Sequence, residues 1–109
     1  MELVEKGCTS GKEAEDIVRA SLKPLLDEGA DRIVLGCTHY PFLSDTIAKV
    51  ASELVPEITV EIIDPAPAVA RHLYETMEQE GIIRKDGFSI ELVSSGNPDQ
   101  LENAYGKLL

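Results

Sequence analysis

The 109-residue sequence is poor in basic residues and contains no long apolar run. Lys and Arg total 10 against 20 for Asp and Glu, which gives a formal net charge of −10. Affinity for nucleic acid depends on cations that neutralise phosphates, so a nucleic-acid partner is not expected. No segment approaches the roughly 20 apolar residues of a membrane-spanning helix, and the N-terminus lacks a signal-peptide layout. We therefore expect a cytoplasmic protein with no membrane partner.

Cysteine is also scarce, with only Cys8 and Cys37 present. Two cysteines in an acidic chain do not form a disulfide framework. The sequence contains no Cys-x-x-Cys spacing, and His39 lies too close to Cys37 for most structural zinc patterns. No metal site is predicted.

Apolar periodicity in the remaining sequence predicts alternating helices and strands. Helices are predicted over 10–28, about 43–54, 66–79 and from 97 onward, and strands over 31–35, 59–63 and 88–93. Ser10 or Thr9 should cap the first helix, with Glu13 completing a capping box, and Pro24 should kink it or shorten its last turn. The α-β-α-β-α-β-α order indicates an α/β fold with a parallel sheet and helical crossovers. Parallel sheets need cover on both faces, so residues 1–109 are predicted to form a single α/β unit of an incomplete fold.

The richest chemistry follows the first predicted strand, at the edge where open α/β sheets bind ligands. Gly36 is expected to permit a sharp turn, after which Cys37 projects into the crevice beside the Thr38 hydroxyl and the His39 imidazole. A thiol ordinarily titrates near 8.5 and is activated by a helix N-terminus or an imidazole. This segment therefore predicts a proton-transfer or nucleophile site, and the alternative is a buried structural cysteine.

The same segment resembles a known family motif. Residues 31–43, Asp-Arg-Ile-Val-Leu-Gly-Cys-Thr-His-Tyr-Pro-Phe-Leu, are similar to the second cysteine motif of glutamate racemases. Related aspartate racemases typically have Glu where His39 stands. The resemblance extends to Leu-Val-Glu-Lys-Gly at 3–7, to Ile-Ile-Asp at 62–64 with Ala-Val-Ala at 68–70, and to Ser-Ser-Gly-Asn-Pro at 94–98.

The resemblance implies a cofactor-independent racemase that interconverts L- and D-glutamate with two cysteines, one on each of two similar α/β domains. Such an enzyme supplies D-glutamate for peptidoglycan. In this sequence Cys37 would take the proton from L-glutamate, and His39 would assist it. Glu5 would orient His39, and Thr38 would hold a substrate carboxylate. No cofactor is implied.

The sequence also departs from the family. The first catalytic motif, with Cys in an Ala-Cys-Asn-Thr setting, and the N-terminal Asp-Ser-Gly strand do not occur in it. Asp-Pro-Ala-Pro at 64–67 replaces the usual Asp-Ser-Gly, and Cys8 follows no apolar strand, so it is taken as incidental. Residues 1–109 are thus predicted to be the C-terminal part of a two-domain racemase, carrying half of its site, and to be inactive as a racemase on their own because the first cysteine motif is missing. Surfaces that the other half would cover predict a homo-oligomer.

Two other functions fit the pattern. One is a racemase for aspartate, hydantoins or a related acid, against which His39 and Tyr40 weigh. The other is a non-catalytic binding or regulatory module that keeps the motif for structure. In that case His39 would be a polar residue packed in a turn, and Glu5 a solvated charge at a helix end.

Overall fold

The computed structural model describes residues 2–83 and 86–108. The chain divides into two compact units, Met1–Asp64 and Pro65–Leu109. Whether the whole chain acts as one domain, as the sequence suggests, stays a prediction.

The first unit contains the described strands of the protein. Its elements are α1 (Glu2–Glu5), α2 (Lys12–Asp27), β1 (Arg32–Val34), a 3₁₀ helix (Tyr40–Leu43), α3 (Ser44–Leu54) and β2 (Glu61–Ile63). The two strands pair in parallel, with Ile33 opposite Ile62. Parallel neighbours require a crossover, and α3 provides it. The α/β class and the parallel sheet with a helical crossover are confirmed.

A small core forms where α2 and α3 pack against each other. Buried side chains recur every three or four residues along both helices, which places them on one face of each. They are Ala14, Val18, Leu22 and Leu26 on α2, and Ile47, Val50 and Ala51 on α3. Ile33 and Leu35 are buried with them, whereas Val34 on the opposite face of the strand is 62% exposed. The described sheet is therefore covered on one face only.

Ion pairs at the surface join neighbouring elements of this unit. Arg32 Nε donates to Glu61 Oε2 at 2.9 Å across the sheet, and this bond holds the pKa of Arg32 above its usual value. Lys49 Nζ donates to Glu15 Oε1 at 2.6 Å, which likewise raises the pKa of Lys49. Exposed pairs of this kind contribute little free energy. Here they mark which residues of adjacent elements face each other.

The N-terminus of α2 is not capped as the sequence predicted. The helix begins at Lys12 with Gly11 as its N-cap, and no side chain caps it, so the expected box of Ser10 and Glu13 is wrong. Gly11 has a φ of 91°, a left-handed conformation that glycine adopts without steric cost. The chain thus enters the helix through a glycine turn. Pro24 lies inside the helix, which continues to Asp27.

The second unit contains α4 (Ala66–Gln79) and α5 (Pro98–Leu108), in agreement with the predicted helices. The predicted strand over 88–93 does not form, so the α-β-α-β-α-β-α order is wrong at its third strand. An alternating segment becomes a strand only when a neighbour completes its hydrogen bonds and a second layer covers its apolar face. Neither condition is met, since Phe88 is 91% exposed and no described strand pairs with this segment.

Among the described residues, no helix combines the length and the apolarity needed to cross a membrane.

Candidate functional site

The candidate site lies in the loop that leaves the carboxyl end of β1. The sheet ladder continues one residue beyond the strand, where the Leu35 N–H donates to the Ile63 carbonyl at 2.9 Å. The chain then turns at Cys37, whose carbonyl accepts from the Tyr40 N–H at 3.3 Å, and enters the 3₁₀ helix. Ser44 Oγ donates to the Pro41 carbonyl at 2.7 Å and so closes the loop onto α3. Both ends of the loop are fastened to regular structure.

Gly36 was expected to permit a sharp turn at the end of the strand, and its conformation does not require glycine. Its φ is not in the left-handed region, and a Cβ added there would meet no atom within 4 Å. The turn into the loop therefore does not depend on the conformational freedom of glycine.

A short helix, α1, whose bounds the sequence analysis did not predict, brings Glu5 to this loop. Helix α1 contacts the 3₁₀ helix and inserts Val4, which is fully buried. It ends in a Schellman motif, in which the Gly7 N–H donates to the Val4 carbonyl and the Cys8 N–H to the Leu3 carbonyl, both at 2.8 Å. Gly7 adopts the left-handed φ of 74° that this motif requires. An apolar pair followed by glycine was the available sequence signal.

Three side chains are arranged in a row across this contact. His39 Nδ1 lies 3.7 Å from Cys37 Sγ, and on the other side of the ring His39 Nε2 lies 3.6 Å from Glu5 Oε1. Thr38 Oγ1 lies 3.4 Å from the same Nδ1 atom. The structure thus brings together all four residues predicted for the site. Cys37 and His39 are half-buried, whereas Glu5 and Thr38 are exposed.

The row has the order carboxylate, imidazole, thiol. A carboxylate beside Nε2 favours the tautomer with its proton on that nitrogen, and this leaves the Nδ1 lone pair facing the thiol. Nδ1 can then accept a proton from Cys37 and return it, which is the arrangement of an activated nucleophile or an acid/base pair. The 3.7 Å separation of sulfur and nitrogen is within reach of a hydrogen bond to sulfur, whereas the 3.6 Å separation of Nε2 and Oε1 exceeds that of an ordinary hydrogen bond.

Cys8 lies outside this row. It is exposed and follows α1. Neither Cys8 nor Cys37 forms a disulfide. Within residues 2–83 and 86–108, no group of three or more His, Cys, Asp or Glu side chains could hold a metal ion.

Comparison with known proteins matches the segment that carries this site. Residues 3–73 match the family described as Asp/Glu/Hydantoin racemase. The chain is 42% identical over 101 residues to the glutamate racemase of Carboxydothermus hydrogenoformans, covering 93% of this chain and 36% of that protein. It is 41% identical over 102 residues to the glutamate racemase of Methylococcus capsulatus, with the same coverage. Over 80 residues it is 44% identical to the glutamate racemase of Ralstonia pickettii, covering 73% and 27%. The chain therefore spans about a third of the length of these relatives.

Proposed function

The chain belongs to the Asp/Glu/hydantoin racemase family, and on that premise we propose that it supplies one half of the two-base site of a glutamate racemase. The observation that carries the proposal is the row of Glu5, His39 and Cys37 at the end of β1. A structural cysteine has no need of an imidazole and a carboxylate aligned behind it. The relatives named glutamate racemase support the choice of substrate.

Racemisation without a cofactor needs an acid/base on each face of the α-carbon. In the proposed reaction the Cys37 thiolate takes the α-proton of L-glutamate, which leaves a carbanion on the substrate and a neutral thiol on Cys37. A second acid/base then protonates the opposite face to give D-glutamate. In the reverse direction the Cys37 thiol donates its proton. The second group belongs to a part of the enzyme outside the segment that this chain matches.

The remaining site residues support that step. His39 exchanges the proton with Cys37 through Nδ1, and Glu5 keeps the ring oriented through Nε2. The exposed Thr38 hydroxyl is available to a substrate carboxylate. In a chain with a formal net charge of −10, hydroxyls and backbone N–H groups are the suitable donors for an anionic substrate.

We propose that the enzyme works without a cofactor in the cytoplasm, where it supplies D-glutamate for peptidoglycan, and that it forms a homo-oligomer. The exposed apolar side chains of α4 and β1 support association. Because the family description also includes aspartate and hydantoin racemases, the substrate has to be tested directly.

The test is exchange of the substrate α-proton in deuterated water, followed by proton NMR with each enantiomer separately. We expect L-glutamate to lose its α-proton signal while D-glutamate keeps it, because Cys37 faces one side of the α-carbon only. Cys37→Ala should abolish the exchange, and the matched variant Cys8→Ala should retain it.

Three results would contradict this proposal. Interconversion of both enantiomers by the chain alone would mean that it contains a second acid/base. Exchange that persists in Cys37→Ala would remove Cys37 from the reaction. Faster exchange of aspartate than of glutamate would assign the site to the other substrate class.

A further inference from the structure

One buried polar side chain in the first unit has no role in the mechanism above. Thr46 lies on the buried face of α3, 6% exposed, next to the core residues Ile47 and Val50. Its Oγ1 donates to the Thr9 carbonyl at 2.7 Å, across 37 residues of sequence. A helical threonine can instead satisfy its hydroxyl on a carbonyl of its own preceding turn. Thr46 bonds to a different segment.

The two segments joined by this bond are those that carry the row of site residues. Thr9 directly follows Cys8, the last residue of the motif that ends α1, and α1 carries Glu5. Thr46 lies in the first turn of α3, which begins immediately after the 3₁₀ helix that His39 precedes. The bond therefore connects the end of the Glu5 segment to the end of the His39 segment.

Helix α1 needs such an attachment. It has 4 residues, and isolated helices shorter than about 12 residues are not stable in water. Val4 supplies an apolar anchor, but burial is non-directional and does not by itself set the rotation of the helix. The directional bond from Thr46 to Thr9 supplies the second point of attachment.

We propose that Thr46 is a positioning residue, whose hydroxyl holds α1 against the cysteine loop so that the Glu5 carboxylate stays beside His39 Nε2. Its importance for catalysis rests on the proposed racemase function. The positional effect itself does not depend on that function, so it can be measured without activity.

The experiment uses the ring resonances of His39 in the 109-residue chain, recorded by carbon–proton correlation NMR. The chain contains 2 histidines, and His72 on α4 serves as an internal reference. Glu5→Gln first gives the displacement of the His39 signal that follows loss of the carboxylate. Thr46→Val, which keeps the shape and removes the hydroxyl, should reproduce most of that displacement. Thr46→Ser, which keeps the hydroxyl, should leave the His39 signal at its wild-type position.

The matched control is Ser52→Ala, which removes a hydroxyl from the same helix. Ser52 Oγ donates to the Lys49 carbonyl within α3, so its loss should leave the His39 signal in place. If Thr46→Val does not unfold cooperatively, Thr46→Ala replaces it, because alanine has the highest helix propensity.

A role in stability alone gives a different result. In that case Thr46→Val lowers the melting temperature while the His39 signal stays at its wild-type position, and the proposal is wrong. It is also wrong if Thr46→Ser moves the signal as far as Thr46→Val does. If α-proton exchange fails while these shifts occur as expected, the proposed half-site reaction of this chain is rejected and the positioning role stands.

Discussion

At the scale of single residues, the candidate site depends on the distances between its side chains more than on their burial. The Glu5 carboxylate is exposed, and in water two unit charges about 4 Å apart interact by only about 1 kcal/mol. The orienting role that we propose for Glu5 therefore requires that the 3.6 Å separation be maintained. The short helix, its Schellman motif and the bond from Thr46 are the features that maintain it.

The imidazole of His39 should make Cys37 more reactive toward electrophiles. We expect His39→Asn to slow alkylation of Cys37 by iodoacetamide several-fold at neutral pH, because the thiolate is the nucleophile and asparagine cannot take up the thiol proton. Mass spectrometry of the peptides that contain Cys37 and Cys8 measures both rates in one sample, with Cys8 as the reference.

His72→Asn is the matched control for this variant, since His72 lies on α4 and outside the described row. It should leave the rate at Cys37 unchanged. Equal rates in wild type and His39→Asn would show that the 3.7 Å contact does not activate the thiol.

The residues of the site differ in how far the sequence alone could identify them. Cys37, Thr38 and His39 are adjacent and follow an apolar strand, so their common position could be inferred directly. Glu5 lies far from them in sequence and was assigned by resemblance alone. Thr46 could not be found, because its partner is the carbonyl of Thr9 and a backbone carbonyl leaves no mark on the sequence.

At the scale of elements, periodicity predicts the longer helices better than the strands. Helices α2 and α3 pack on each other, and both were predicted to within a few residues. The segment over 88–93 has the apolar alternation of a strand but no described strand beside it, and it remains unpaired. A strand depends on neighbours that a local pattern does not contain.

The interface between α2 and α3 should be the main source of stability in the first unit. Leu22 on α2 is 5% exposed, so Leu22→Ala should lower the free energy of unfolding by about 2–5 kcal/mol through lost burial and the cavity left behind. Leu25 lies on the same helix but is 51% exposed, and Leu25→Ala should cost less than about 1 kcal/mol. Chemical denaturation followed by circular dichroism measures both values. Similar losses in the two variants would mean that α2 packs through a different face.

At the scale of the whole molecule, the chain exposes apolar surface that a complete α/β fold would cover. Val34 projects from the uncovered face of β1, and Val69 and Leu73 are exposed on α4. A parallel sheet ordinarily has helices on both faces. The chain also spans 36% of the length of its relatives from Carboxydothermus hydrogenoformans and Methylococcus capsulatus. Together these facts suggest that the exposed surfaces are sites of association.

We therefore expect the 109-residue chain to self-associate in a concentration-dependent way, because pairing the apolar side chains removes them from water. Leu73→Glu places a charge on the apolar face of α4 and should shift the equilibrium toward monomer, as measured by sedimentation equilibrium. The control Gln79→Glu introduces the same residue at the exposed end of that helix and should leave association unchanged. If Leu73→Glu associates as strongly as wild type, α4 is not the contact surface, and the exposed face of β1 at Val34 is the next candidate to test.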